Sequence, residues 1–144
     1  MDNKLTVKFQ LLEIETAEFA IIDSVGINPK KIKFTTGLQF GISDANSEIM
    51  CNVIIEFFSD EQKLLLKLRT ENKFKVMPED WEAFKNDDGL TIPKGFLAHI
   101  AMISVGSSRG ILHCKTENTP FNLFVLPLID VTSMIAEDEN FQLD

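Results

Sequence analysis

The first half of the chain alternates apolar and polar residues with a period of two, which is the pattern of half-buried β-strands. The adjacent pair Leu11 and Leu12 shifts the phase of this alternation and indicates a β-bulge in a long first strand. The short connections between the later strands predict antiparallel pairing. The predicted strands are residues 4–14, 32–42, 49–58 and 63–69, with a crossover loop at 24–31 after the first.

The second half changes to a helical period, and one helix stands out because it is apolar over most of its circumference. Pro93 suits the first helical position, and Gly110 is placed to end the helix. The helix is expected to be covered on both sides, by the sheet and by a second subunit. One of its apolar faces is therefore predicted to be an oligomer interface, made of Phe96, Ile100, Ile103 and Ser107.

A second, shorter helix is predicted near the C-terminus, where Asp130 is a plausible N-cap after the break at Pro127. Residues 111–120 are expected to be a loop or irregular strand, and 136–144 a flexible acidic tail. The expected fold is a single α+β domain over 1–144. It has a four-stranded antiparallel sheet with a crossover loop, packed on one long and one short C-terminal helix.

Composition narrows the class of protein. The chain has 144 residues, 14 basic and 22 acidic, for a net charge of −8, and its mean hydropathy is +0.04. The acidic balance argues against a nucleic-acid partner, which needs clustered Lys and Arg. The apolar stretch from Thr119 to Ile129 is shorter than the roughly 20 residues of a membrane helix, so no membrane insertion is expected. Two cysteines, Cys51 and Cys114, suggest a reducing compartment and a cytoplasmic protein.

The residue pattern offers no catalytic or cofactor chemistry. The two histidines, His99 and His113, have no evident partner, and His99 lies on the apolar helix. The cysteines lack the spacing of a metal site. The glycine-containing segment 106–110 lies at a helix end, where the helix dipole repels phosphate. We therefore expect no enzyme, no metal and no cofactor.

The order of these elements resembles the SecB-type protein-export chaperone family. The resemblance covers roughly Lys4 to Ile135. It is a pattern of order and hydrophobicity, carried by the first strand and its crossover loop and by the helix that follows Pro93. Further residues that carry it are Ser108-Arg109-Gly110, Leu126-Pro127 and Asp130. The resemblance implies a homotetramer, a dimer of dimers that binds unfolded precursors in apolar grooves without ATP.

By this resemblance the client-binding groove would draw on the crossover loop, the fourth strand and the stretch before the last helix. The same residues would equally suit the plain core of the domain, because apolar residues are mostly inside. The implied groove residues are Ile27, Leu64, Leu66, Phe124, Leu126 and Ile129.

The exposed face of the sheet is the other surface that the resemblance points to, because acidic residues there contact the motor SecA in the family. The corresponding surface residues here are Glu15, Glu18, Leu65 and Lys67. Since Lys67 is basic and the tail lacks basic residues, contact with a SecA-type motor is left open. The expected function is a holdase for unfolded or preprotein segments. The alternative is an adaptor with one dedicated partner, such as an antitoxin, on the same fold.

Overall fold

The main sheet follows the predicted antiparallel order. The computed structural model describes residues 6–24, 26–124 and 126–143, so Lys4 and Leu5 of the predicted first strand lie outside the described residues. The sheet order is β1-β4-β3-β2, so the crossover carries the chain from one edge of the sheet to the other. The strands are β1 (Phe9–Ile21), β2 (Lys33–Ser43), β3 (Glu48–Phe58) and β4 (Leu64–Val76).

Two irregularities in β1 and the length of β4 refine this picture. The register of β1 against β4 shifts between Leu11 and Glu13, which confirms the bulge indicated by the sequence, and shifts again between Thr16 and Glu18. β4 continues well beyond the predicted end at residue 69. The alternation was hidden there because its inward positions carry Thr70 and Asn72, which are polar but fully buried.

The long helix α2 (Lys94–Lys115, 22 residues) packs on the inner face of the sheet. The predicted end at Gly110 was wrong, and the loop predicted over 111–120 was wrong for residues 111–115, which are helical, whereas 116–119 form a turn. Gly106 and Gly110 both face outward, where an added Cβ would meet nothing within 4 Å, so neither glycine interrupts the helix. The helix ends instead at Lys115, and the hydroxyl of its C-cap residue, Thr116, donates to the Leu112 carbonyl at 2.8 Å.

The length of α2 and its mean hydropathy of 1.2 over an 18-residue window would also suit a membrane-crossing helix, but 44% of that window is buried inside this fold. The buried side chains form one stripe against the central strands. They are Leu97, Ile100, Ala101, Ser104, Val105, Ser108 and Leu112. α2 is therefore the core helix of an α+β fold.

A buried polar cluster fixes how α2 sits on the sheet. The hydroxyls of Thr70 and Ser108 lie 2.7 Å apart, which joins β4 to the helix. The Asn72 amide donates to Thr70 Oγ1 and to the Cys51 carbonyl, both at 3.1 Å. Burial raises the pKa of the Cys51 thiol to about 11, so this thiol stays neutral. Directional bonds of this kind favour one register of the helix over its neighbours.

A second, small sheet forms beside the start of α2, in the order β5-β6-β7. Its strands are β5 (Lys85–Asn86), β6 (Gly89–Ile92) and β7 (Glu139–Gln142), and β5 follows the short helix α1 (Pro78–Ala83). Residues 139–142 were expected to belong to a flexible tail. That expectation was wrong for these residues, because Phe141 pairs with Leu90 and packs against the core.

The last helix, α3 (Val131–Met134), begins where the sequence predicts, with Asp130 Oδ1 accepting from the Ser133 N–H at 3.3 Å.

Gly89 is the residue on which β7 pairing depends. Its φ is +151°, and a Cβ built there would lie 2.2 Å from the Phe141 carbonyl oxygen. We expect Gly89→Ala to lower the free energy of unfolding by more than about 1 kcal/mol, since both the backbone conformation and the close contact disfavour a side chain. Urea denaturation measures this change. Gly41→Ala, where a Cβ would meet nothing within 4 Å, should not destabilise the protein, and equal losses in both variants would contradict this prediction.

Candidate functional site

A cluster of phenylalanine rings marks the end of the sheet where the crossover loop arrives. Phe57 on β3 lies 5.0 Å from Phe124 and 6.0 Å from Phe121 between ring centroids, and Phe34 on β2 lies 6.1 Å from Phe124. The edge-to-face and tilted geometries are those that aromatic pairs prefer. The cluster joins the sheet to the 3-10 turn Pro120–Leu123, which follows α2.

The segment after this turn is held to α2 by Arg109. The guanidinium of Arg109 donates to the carbonyls of Leu126 and Pro127, each at 2.9 Å. Two backbone acceptors are thereby satisfied in a segment without regular structure of its own. A cavity of about 190 Å³ lies between this segment and the end of α2, lined by Arg109, Leu112, Phe121, Phe124 and Leu126 among others.

A second and larger cavity, about 380 Å³, lies under the crossover loop. Ile27, Ile32 and Leu65 give it an apolar lining, and charged residues surround them. Lys63 and Asp23 form an ion pair at 2.7 Å, which raises the pKa of Lys63. The acidic side chains around this cavity are Asp23, Asp60 and Glu61, and the basic ones are Lys31 and Lys63.

The residues predicted to line a groove divide into two groups. Ile27, Phe124 and Ile129 are partly buried and pack against the core from its surface. Leu64 is also partly buried, whereas Leu126 is buried and Leu66 is 0% exposed. Leu66 is therefore a core residue in this structure, because it lies opposite Phe57 on the inner face of the sheet.

Leu65 was placed on the partner-facing surface, and this placement is wrong. Leu65 lies next to a register shift between Phe57 and Phe58 and lines the cavity under the crossover loop, where it is 3% exposed. Its carbonyl accepts from the Ile22 N–H at 2.8 Å. The other three residues predicted for that surface, Glu15, Glu18 and Lys67, lie on the outer face. There Lys67 and Arg69 lie 3.3 Å from Glu18, and hydrogen bonding and attraction from Lys67 above all lower the pKa of Glu18.

The most exposed leucines near the groove were not among the predicted residues. Leu123 is 75% exposed at the end of the 3-10 turn, and Leu128 is 95% exposed one residue after Pro127. The sequence offers one signal for these leucines. They lie in an apolar segment that is interrupted by prolines and therefore cannot form a buried strand. Together with Phe124 and Ile129 they make the irregular segment a largely apolar surface.

The second apolar surface runs along the edge of the sheet. β1 has no strand on its outer side among the described residues. It exposes large apolar side chains along its length and just beyond its end, namely Leu11, Leu12, Ile14, Ile21 and Ile22. A long apolar edge of this kind is a template for pairing with another chain.

The outward face of α2 lies beside β1. Phe9 at the start of β1 contacts His99 of α2, with 5.4 Å between ring centroids. Met102 is 60% exposed, and Gly106 and Gly110 continue the outward face. Of the residues predicted as an oligomer interface, Phe96, Ile103 and Ser107 are half-buried on the flank of the helix. Ile100 belongs to the core at 0% exposure, which corrects the predicted interface at that position.

The described residues contain no group of three or more His, Cys, Asp or Glu side chains that could hold a metal ion.

Comparison with known proteins gives a likeness at the level of structure and none at the level of sequence. No protein-family model matches the chain, and no curated protein matches it. Among solved structures the chain is similar to the Mycobacterium tuberculosis Rv1957 SecB-like chaperone, solved in complex with a ChAD peptide from the Rv1956 HigA1 antitoxin. The TM-score is 0.45 and the identity 11%, over 85% of this chain and 91% of that one. The likeness is distant, and no residue role is transferred from it.

Arg109 should determine the position of the irregular segment. We expect Arg109→Met to destabilise the fold by on the order of 1.5–3 kcal/mol, because hydrogen bonds to a charged group are stronger than neutral ones. Hydrogen exchange of the Val131 amide, which donates to the Ile129 carbonyl at 3.1 Å, should become faster in this variant. Arg109→Lys should restore only part of the protection, because one ammonium cannot reproduce the planar fork that reaches both carbonyls. Lys115→Met is the control, and equal exchange in Arg109→Met and the unmodified protein would contradict the prediction.

Proposed function

We propose that this protein is an ATP-independent holdase, which captures unfolded or preprotein segments on an apolar surface. The observation that carries the proposal is the exposure of Leu123 and Leu128 on an irregular segment that lies over a phenylalanine cluster. Exposed large apolar side chains of this kind mark an interaction surface rather than a solvated loop. Irregular backbone also lets such a surface adapt to different client side chains.

Capture would follow from burial alone. Each large client side chain that leaves water against Leu123, Phe124 or Leu128 contributes on the order of 1.5–3 kcal/mol when fully buried. A few such contacts give reversible binding without a chemical step, so neither nucleotide nor cofactor is needed. The acidic residues around the crossover-loop cavity would favour clients with basic side chains next to apolar ones.

The net charge of −8 suits this role. A chain that displays apolar side chains needs self-repulsion to stay dispersed, and a net charge far from zero provides it. A contribution to protein export and a cytoplasmic location are further parts of the proposal. The alternative is a dedicated adaptor, which would bind one partner through the outer sheet face that carries Glu15, Glu18 and Lys67.

We also propose that the functional unit is a homo-oligomer, a dimer of dimers. Two adjoining surfaces support it, the edge of β1 with Leu11, Leu12 and Ile14, and the outward face of α2 with Met102 and Gly106. An unpaired strand edge pairs readily with a second copy, and a helix face of small residues allows close approach of another helix. These surfaces replace Ile100 as the expected centre of the contact.

The holdase proposal is tested by diluting a denatured client protein into buffer and following light scattering. Stoichiometric protein should suppress aggregation. The double variant Leu123→Ser with Leu128→Ser should lose most of this suppression, because it removes the apolar side chains on which the client is proposed to bind. Both side chains are exposed, so the core should remain intact. Met77→Ser removes an exposed apolar side chain at the opposite end of the sheet and is the matched control.

Three results would distinguish the holdase from the adaptor and test the assigned surface. Full suppression by the double variant would contradict the assigned surface. No suppression by the unmodified protein would contradict the holdase proposal. Saturable binding to one folded protein, with no suppression of generic clients, would favour the adaptor instead.

The self-association proposal is tested by mass in solution, using multi-angle light scattering after size exclusion. The unmodified chain of 16.3 kDa should elute as a tetramer. Ile14→Lys should lower the mass, since it would bury a charge where the edge of β1 pairs with a second copy. The pairing of β1 with β4 within the subunit should remain. Lys8→Glu, an exposed charge change just before the strand, should leave the mass unchanged. A monomeric unmodified protein would contradict the proposal.

A further inference from the structure

The first turn of α2 lacks a cap of its own. Helices leave their first N–H groups without intrahelical partners, and a side chain at the N-cap position usually accepts from one of them. Here the N-cap is Pro93, which provides no side-chain cap, and the first turn contains no acidic residue. The helix start therefore depends on a partner from elsewhere in the chain.

That partner is Asp138. Its Oδ1 accepts from the Lys94 N–H at 2.9 Å, across 44 positions of sequence. The carboxylate also places a negative charge at the positive end of the helix dipole. Asp138 directly precedes β7, so the position of this carboxylate is set by the pairing of β7 with β6.

The pairing of β7 is itself specified by several contacts. Phe141 pairs with Leu90 and packs on the core, and Thr91 Oγ1 donates to Asn140 Oδ1 at 2.7 Å. Gly89 leaves room for the Phe141 carbonyl oxygen. Yet β7 has only four residues, and Phe141 alone among them is partly buried. The contacts of β7 specify one register against β6, but little apolar surface is buried to stabilise the pairing.

From these contacts we propose that residues 138–142 form a C-terminal latch, which sets the stability of the first turn of α2. The first turn carries Phe96, whose ring lies 5.4 Å from Phe9 and 5.9 Å from Phe84. Release of the latch loosens this turn and, through Phe96, the start of β1. An extended segment that displaces β7 from β6 would therefore loosen the surface formed by β1 and α2. An effect on oligomer formation rests on the self-association proposed above.

Hydrogen exchange of the full chain, without client, tests the latch separately from the holdase proposal. Asp138→Ala should speed exchange of the amides in residues 94–98 about fivefold, the factor that corresponds to a typical N-cap loss of ~1 kcal/mol. Asp138→Asn keeps a side-chain acceptor and should restore most of the protection. Because an overall loss of stability would speed exchange everywhere, amides of β3 serve as the internal reference.

Phe141→Ala tests the coupling, since it leaves Asp138 in the sequence but weakens the docking of β7. It should speed exchange of residues 94–98 as Asp138→Ala does, with β3 unchanged. Gln142→Ala, which removes an exposed side chain from the same strand, is the control. Unchanged exchange at the first turn in either Asp138→Ala or Phe141→Ala would overturn the latch, whatever the outcome of the aggregation assay.

Discussion

The seating of α2 on the two central strands is the contact on which the rest of the molecule depends. A helix with its side chains is about 10–12 Å wide, and neighbouring strands lie about 4.8 Å apart, so one helix covers about two strands. In a sheet ordered β1-β4-β3-β2 those are β3 and β4, whose inward side chains are buried. The two edge strands must be covered by something else or remain exposed.

The chain treats its two edges differently. Beside β2, the segment after α2 returns over the sheet, so that Phe124 packs near Phe34 and Arg109 holds the backbone that follows. In β1 only Phe9, Ala17 and Phe19 are partly covered, while Leu11, Ile14 and Ile21 stay exposed. Two apolar surfaces are thus exposed. One is the edge of β1, which a single helix is too narrow to cover, and the other is the outer side of the segment that covers β2.

The strands and the α+β class were predictable because half-burial imposes a period of two on the sequence. Failures occurred where a buried position is polar or a surface position is apolar. The polar residues Thr70 and Asn72 interrupt the apolar alternation, so the continuation of β4 was not predicted. Gly110 was taken for a helix end although it is an outward-facing residue within the helix. Residues 139–142 read as a tail because their docking depends on Gly89, 50 or more positions away. Leu65 is buried beside a register shift at Phe58, although the period of two that Leu64 and Leu66 follow assigned it to the surface.

The two exposed apolar surfaces differ in a way that bears on their roles. The edge of β1 is an extended strand with two register shifts, and it offers backbone hydrogen bonds to a partner strand that follows the same course. The segment around Leu123 and Leu128 forms no β-ladder. It is held by Arg109, which donates to two of its backbone carbonyls, and by the side chains of Phe124 and Leu126, which leaves the two leucines exposed. Its leucines are therefore available to side chains of varied shape. The two surfaces therefore favour different contacts, backbone pairing with an extended strand at the edge of β1 and side-chain packing at the irregular segment.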